Sequence, residues 1–166
     1  MKRCYVIIIT CLLSMLFVSC NRSERQFSGE YSYKLSGELT VVDADGESSF
    51  VMVHKNGQMH IMNDKSKAGR VTITMNDMNG GAYTMQATVK GDSILLEPFT
   101  MSTNILTSES LLFNSDNSIV CRFQVTGKGV RNGDMLMLEE QWDGYQSGNT
   151  SIRMTGTKMT LLAEKN

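Results

Sequence analysis

The 166-residue chain is poor in proline and in the side chains that most often carry covalent or metal chemistry. It has one proline, one tryptophan, two histidines and four cysteines. It also lacks the Gly-x-Ser-x-Gly, His-Glu-x-x-His, phosphate-loop and Cys-x-x-Cys motifs, which place reactive groups at the spacing that their chemistry requires. These absences argue against the commonest hydrolases, zinc peptidases, nucleotide-binding enzymes and thiol oxidoreductases. We therefore expect a protein that is not an enzyme.

Long apolar runs are also scarce, and the one present lies at the start of the chain. Residues 5–18 are largely apolar and follow Lys2 and Arg3. This run is too short to cross a bilayer comfortably, and a positive start before such a run is typical of a secretion signal. The alternative, a transmembrane anchor with an incidental cysteine, lacks a basic stop-transfer flank. We assign residues 1–19 to a signal peptide.

Phe17-Val18-Ser19-Cys20 ends this run and resembles the lipobox of bacterial lipoproteins. The resemblance implies that Cys20 is the first mature residue and carries acyl chains such as palmitate. Residues 20–26 then form a lipid-anchored linker, and residues 27–166 form a single domain. The linker has neither an aspartate directly after the cysteine nor an acidic cluster beyond it. For such lipoproteins this implies an outer-membrane anchor facing the periplasm rather than the cell surface.

Removal of the signal leaves Cys121 as the one unmodified thiol, so the mature chain has no intramolecular disulfide. Its 147 residues are enough to build a core without such bridges. The net charge changes from −1 to −3, and the two signs are interspersed along the chain. This charge pattern argues against a nucleic-acid partner.

A period of two residues dominates the mature sequence. From Gly29 to Val41 apolar or small residues alternate with polar ones, which predicts a strand with one buried face. Gly37, in the middle of this long strand, predicts a bend. Residues 101–117 predict either a further strand or a short helix. The other predicted strands, separated by turn dipeptides such as Asp-Gly and Asn-Gly, span residues 47–54, 58–63, 70–76, 82–90, 93–100, 118–128, 134–142 and 150–163.

Short turns between successive strands predict an all-β, antiparallel up-and-down meander. Closing the meander removes its two exposed edges, so we expect an 8–10-stranded barrel. Polar side chains alternate with the apolar ones, which is typical of a barrel in water rather than in a membrane. Pro98 lies late in its strand and predicts a bulge, an edge or the strand's end.

The pattern from Phe27-Ser28-Gly29-Glu30-Tyr31 to Arg153-Met154-Thr155-Gly156-Thr157 resembles the lipocalin or calycin-like lipoproteins of Bacteroidetes. Tyr31 stands where lipocalins have the tryptophan of Gly-x-Trp. Arg153 is either the basic residue that packs over this aromatic ring or a solvated outer charge. The resemblance implies a small hydrophobic molecule in the barrel and no catalytic residue. It also implies O-glycosylation of Ser93, within Asp92-Ser93-Ile94.

Methionine is the one abundant residue that stands out, with eleven copies spread over most strands of the mature chain. Flexible methionines either fit an irregular apolar ligand or fill a closed core, and an eight-stranded barrel has room for little more than its own side chains. The sequence leaves both interpretations open. The candidate ligand-lining residues are Tyr31, Tyr33, Met52, His54, Met59, Met75, Tyr83, Met85, Phe123 and Met154.

Both histidines flank Asn56-Gly57, which we expect to form a two-residue hairpin turn. In that hairpin Met52, His54 and Met59 share one face, while Lys55 and His60 lie on the other. The histidines point apart, so this stretch is an incomplete soft-metal site whose better use is barrel lining. We expect no metal and no cofactor.

Two alternative functions remain. The first is a protein-binding barrel, such as an inhibitor or accessory subunit of an envelope complex, with Trp142 and Tyr145 as partner-binding residues on an exposed turn. In the contrary interpretation Trp142 plugs one end of the barrel. The second alternative is handling of Cu(I) or haem. Glu139 and Glu140 are neighbours on a strand, so they point to opposite faces and cannot act as a pair.

Overall fold

The computed structural model describes residues 23–78, 81–106 and 118–166. In this part of the chain one short helix precedes eight strands that close into an antiparallel barrel, each strand pairing with the next and β8 pairing with β1. The predicted up-and-down barrel is therefore confirmed. Cys20 and the expected signal peptide lie outside the described residues. The elements are α1 Ser23–Phe27, β1 Gly29–Val42, β2 Ser48–Asn63, β3 Arg70–Asp77, β4 Ala82–Lys90, β5 Ser93–Leu106, β6 Ser118–Asn132, β7 Met135–Gln146 and β8 Asn149–Lys165.

Strand β2 runs straight through Asn56-Gly57, so the predicted hairpin at this dipeptide is wrong. Its partner β1 pairs with it from end to end, Gly29 opposite Ile61 and Val42 opposite Ser48. Gly57 is not among the glycines with a positive φ, which the expected turn would require. The reversal lies earlier, where the backbone N–H of Asp43 donates to the carbonyl of Glu47 at 3.0 Å. The two predicted strands are therefore one long strand.

Two predicted irregularities are confirmed by the ladder. The register between β1 and β8 shifts between Ser36 and Thr40, around Gly37. The register between β5 and β6 shifts between Leu96 and Phe99, around Pro98. Such bulges bend a strand and let a long ladder follow the curvature of a barrel. Of residues 101–117, those up to Leu106 continue β5, and residues 107–117 lie outside the described part.

The inner faces of the strands fill the barrel. A cavity wide enough for water would leave accessible surface on the side chains around it, yet most inner side chains have almost none. They pack against one another, as protein interiors generally do. Of the two interpretations of the methionines, the structure supports the packed core. The buried methionines are Met59, Met75, Met85, Met101, Met154 and Met159.

Helix α1 covers one end of the barrel. Phe27 is fully buried, and the Tyr31 hydroxyl donates to its carbonyl oxygen at 2.8 Å. The Gly91 N–H donates to Ser23 Oγ at 3.0 Å, and Arg131 donates to Gln26 Oε1 at 3.3 Å. Residues 23–26, expected to be linker, are therefore held against the barrel.

A basic residue does lie over the ring of Tyr31, but it comes from a different position than Arg153. Lys165 Nζ is 5.9 Å from the centroid of the ring, within the range of a cation–π contact. The Arg153 side chain is 69% exposed and lies 3.9 Å from Asp143. Of the two interpretations of Arg153, the solvated outer charge is confirmed. No helix within the described residues is long and apolar enough to cross a membrane.

Candidate binding site in the barrel interior

Glu140 is a carboxylate inside an apolar barrel. The alternation of β7 turns it inward, with 2% of its surface exposed, while Glu139 points out. The two adjacent carboxylates thus face opposite sides, as predicted. Gly127 lies opposite Glu140 on β6, and a Cβ there would stand 3.2 Å from Glu140 Cγ. The missing side chain of Gly127 therefore leaves room for Glu140.

The surroundings of Glu140 favour its neutral form. Burial raises the pKa of Glu140 to about 7, against a smaller lowering by the hydrogen bond from Trp142. That bond joins Trp142 Nε1 to Glu140 Oε2 at 2.8 Å. The other oxygen, Oε1, is buried without a hydrogen-bond partner among the described residues. A buried polar atom of this kind carries a desolvation cost that a donor group would relieve.

Two tyrosines share this compartment. Burial raises the pKa of Tyr33, and the negative charges of Asp77 and Glu140 raise it further. Burial and the charge of Glu140 also raise the pKa of Tyr83. Both hydroxyls therefore stay protonated at neutral pH and can donate hydrogen bonds. Tyr33 Oη is a second buried polar atom without a partner in the described part of the chain.

Lys55 and Asp77 add a close ion pair to the interior. Lys55 Nζ lies 2.6 Å from Asp77 Oδ2, and the two side chains are 10% and 3% exposed. A turn at Asn56-Gly57 would put Lys55 on the outer face, so that expectation is wrong. The period of two, continued through that dipeptide, would have placed Lys55 inside. We call Tyr33, Lys55, Asp77, Tyr83, Glu140 and Trp142 the interior polar cluster.

Two members of the interior polar cluster each contact a further aromatic ring. The Phe123 and Trp142 rings are 5.1 Å apart and tilted by 48°. The Tyr83 and Phe99 rings are 6.0 Å apart and nearly parallel, at 15°. Such offset contacts stabilise aromatic pairs beyond the area that they bury. The Phe123 ring packs against the indole whose N–H reaches Glu140.

Most of the predicted ligand-lining residues do lie in the interior. Met52 and His54 are corrections, because the uninterrupted β2 places both on the outer face and Met52 is 57% exposed. Tyr83 is partly buried and packs on the core. The remaining predicted residues are buried: Tyr31, Tyr33, Met59, Met75, Met85, Phe123 and Met154.

The predicted partner-binding turn is also corrected. Strand β7 continues to Gln146, so Trp142 lies within the strand and is 2% exposed. Tyr145 is half-buried and pairs across the strands with Arg122 and with Arg153. Ser93, the expected glycosylation site, is exposed at the start of β5. Its hydroxyl is therefore accessible to a modifying enzyme.

Soft ligand atoms meet at one place in the interior. Cys121 Sγ donates to Met154 Sδ at 3.4 Å, and both residues are buried. Burial raises the pKa of the Cys121 thiol to about 12, which disfavours the thiolate that a metal would bind. Within residues 23–78, 81–106 and 118–166, no three His, Cys, Asp or Glu side chains are grouped as a metal site requires.

Comparisons with known proteins add little to this geometry. No family model and no curated protein matches the chain. A solved structure described as a redesigned beta barrel aligns with 89% of this chain and 98% of its own, at 14% identity and a TM-score of 0.39. The fold assignment therefore rests on the strand pairing of this chain itself.

Proposed function

We propose that the protein is an envelope lipoprotein whose barrel binds a small, mostly apolar molecule with one polar group. The observation that carries this proposal is that Tyr33 Oη and Glu140 Oε1, both in the barrel interior, are among the buried atoms that have no hydrogen-bond partner in the described part of the chain. A hydroxyl or amide of the ligand would accept from Tyr33 and form a hydrogen bond with Glu140 Oε1, accepting from the neutral acid or donating to the carboxylate. Pockets for small molecules commonly combine an apolar wall with a few polar groups that fix orientation.

The buried methionines supply the apolar wall. They are unbranched and change shape at low cost. Because the interior is filled by side chains, a ligand must displace some of them to enter. Binding is then slow and limited to a compact molecule. The proposed ligand class is therefore a small amphipathic compound rather than a long-chain lipid.

We propose binding rather than catalysis at this site. Catalytic pairs need an acid and a base, or a nucleophile and a base, within hydrogen-bond reach of each other. Here Glu140 receives a hydrogen bond from an indole N–H, which neither accepts a proton nor attacks a substrate. The raised pKa values of Tyr33 and Tyr83 favour donation of hydrogen bonds over removal of a proton from a substrate.

The anchor is the second part of the proposal. The lipobox-like Phe17-Val18-Ser19-Cys20 supports diacylation of Cys20 and retention at the outer membrane on its periplasmic side. The first described residue, Ser23, is already bonded to the barrel. The tether between lipid and barrel is therefore very short.

Native mass spectrometry of the full chain, extracted from bacterial membranes in a mild detergent, tests both parts. We expect a mature chain that begins at Cys20 with its acyl mass, together with a noncovalent organic mass. Glu140→Gln combined with Tyr33→Phe should lose the organic mass. Glu139→Gln, the outward neighbour, is the matched control and should retain it.

Three results would contradict the proposal in different ways. A bare chain in both the wild type and Glu139→Gln would overturn ligand binding. A co-purifying protein would favour the accessory-subunit alternative, for which the half-buried Tyr145 between two arginines is the remaining candidate contact. A mature mass without acyl groups would overturn the anchor and leave ligand binding intact.

A further inference from the structure

A row of exposed apolar side chains crosses the outer wall of the barrel. Val130 on β6 pairs with Met137 on β7, and Met137 pairs with Leu162 on β8. Their exposed fractions are 47%, 40% and 46%. Met135 and Leu95, also exposed, widen the row. We call these five residues the outer apolar patch.

Other exposed apolar side chains on the barrel wall pair with polar residues: Phe50 with Thr40, and Met52 with Glu38. Neighbouring strands are about 4.8 Å apart, so Val130, Met137 and Leu162 form a continuous strip about 10 Å wide. A groove of about 550 Å³ lies along the strip, and Lys90 and Lys128 are among the residues that line it. Contiguous exposed apolar surface of this kind marks a contact with a partner or a membrane.

The outer apolar patch lies beside the point where the chain enters the barrel. Ser23 is bonded to Gly91, in the turn between β4 and β5. Two residues later Ser93 pairs directly with Val130. Cys20 precedes Ser23 by three residues, which span at most about 11 Å when fully extended. A lipid on Cys20 would therefore hold a bilayer surface close to this side of the barrel.

We propose that the outer apolar patch rests on the membrane surface that holds the lipidated Cys20, so that the barrel lies on the bilayer instead of rotating freely above it. This inference rests on the proposed lipid anchor. A tether this short gives the outer apolar patch a very high effective concentration at the membrane surface. The apolar side chains enter the interfacial region, where amphipathic surfaces of proteins bind.

Charges of both signs border the outer apolar patch, and Glu164 is an acidic residue that pairs with Met135. Lys90 and Lys128 line the groove beside the apolar strip, where their ammonium groups would meet lipid phosphates. Glu139 also lines the groove, and it pairs across the strands with Lys128. Its carboxylate is therefore next to a compensating charge, and the apolar contact provides most of the binding. The interaction should depend only weakly on salt.

The test uses the lipidated full chain in vesicles of phosphatidylethanolamine and phosphatidylglycerol. A bimane fluorophore is attached to a cysteine at Met137→Cys, and brominated lipids then report contact with the bilayer by quenching. Met62→Cys is the matched control, because Met62 lies on β2 with a similar exposed fraction of 45%. Cys121 is fully buried and should not be labelled. If Met137→Cys does not fold, Val130→Cys replaces it.

We expect brominated lipids to quench the fluorophore at position 137 several-fold more than the one at position 62. Equal, weak quenching at both positions in protein that floats with the vesicles would overturn the proposal. The proposal would also be overturned if the fluorophore became buried only at high protein concentration and without quenching by lipid. That result would indicate that a second copy of the chain covers the outer apolar patch. Protein that does not float at all would refute the lipid anchor, which is a separate failure.

Discussion

At the scale of single residues, Glu140 makes stability depend on pH. Its pKa in the folded chain is about 7, above the ordinary 4.5. Between these values the unfolded chain loses a proton that the folded chain retains, so this contribution to stability is complete below about pH 4.5 and disappears as the pH rises through about 7. The free energy of unfolding should fall by about 3 kcal/mol over this interval. Urea denaturation at pH 5 and pH 8 measures the change.

Glu140→Gln should remove this pH dependence and be more stable than the wild type at pH 8, because glutamine stays neutral and can still accept from Trp142. Glu139→Gln should behave as the wild type does. Trp142 is the only tryptophan and is bonded to Glu140, so its fluorescence should change with a midpoint near pH 7. A flat fluorescence profile would show that Glu140 does not titrate there.

The ion pair of Lys55 and Asp77 yields a second prediction at this scale. Lys55→Met leaves the charge of Asp77 inside the barrel without its lysine, which should cost about 3 kcal/mol of unfolding free energy. The double variant Lys55→Met with Asp77→Leu should lie within about 1 kcal/mol of the wild type, since both charges are then gone. Lys128→Met, on the outer face, controls for the loss of a lysine. A Lys55→Met variant as stable as Lys128→Met would contradict the prediction.

At the scale of elements, alternation alone predicted most strands, because each has one face inside and one face in water. The predictions fail at Asn56-Gly57 and near Gly144, where a glycine within a strand has the same sequence signature as a turn. Gly57 and Gly144 both approach the backbone of a neighbouring strand closely: a Cβ would collide with a carbonyl of Asn76 or of Arg122. A sequence does not distinguish glycine needed for close approach from glycine needed for a turn, since that depends on the partner strand.

The atoms that an added Cβ would meet predict different costs for substitutions at Gly57 and Gly37. Gly57→Ala would push a methyl group into the main-chain carbonyl of Asn76, and it should cost about 1–3 kcal/mol of unfolding free energy. The Cβ of Gly37→Ala would stand 2.5 Å from Met159 Sδ and 3.0 Å from Met159 Cα. The flexible thioether can move aside, and the main-chain contact is longer than the one at Gly57. Gly37→Ala should therefore cost less. Thermal denaturation of the two variants compares them, and equal losses would contradict the argument.

At the scale of the whole molecule, closure of the barrel followed from the need to hide two sheet edges. Whether the barrel is hollow did not follow, because it depends on summed side-chain volumes and on strand stagger. The interior polar cluster was missed for a related reason: Asp77 and Glu140 come from separate strands that only the closed sheet brings near Tyr33. The sequence showed each of them as an isolated charge.

Cys121 reports on the integrity of the whole barrel. Its thiol is fully buried and has a pKa raised to about 12, so it should react only when the barrel unfolds. In a soluble form beginning at Asn21, a thiol reagent should label it at a rate that rises with urea in step with the loss of stability. Ser151, exposed on β8, replaced by cysteine, should label rapidly as a control. Rapid labelling of Cys121 in buffer would indicate local opening around β6.

O-glycosylation of Ser93 and contact between the outer apolar patch and a membrane exclude each other. A glycan on Ser93 would stand next to Val130, to which Ser93 is paired. It would cover part of the outer apolar patch and keep that wall away from a bilayer. Mass analysis of the native protein at Ser93 therefore bears on its orientation at the membrane as well as on its modification.

Among the described residues, the ladder between β4 and β5 is the shortest, with only Ala87–Lys90 and Ser93–Leu96 paired. Beyond it the two strands are joined by the stacked rings of Tyr83 and Phe99, a contact that breaks and reforms without loss of backbone hydrogen bonds. A closed cylinder opens first along the line that requires the fewest broken bonds. The gap between β4 and β5 lies beside Tyr83 of the interior polar cluster. Separation of the stacked rings would therefore limit how fast any compound reaches Glu140.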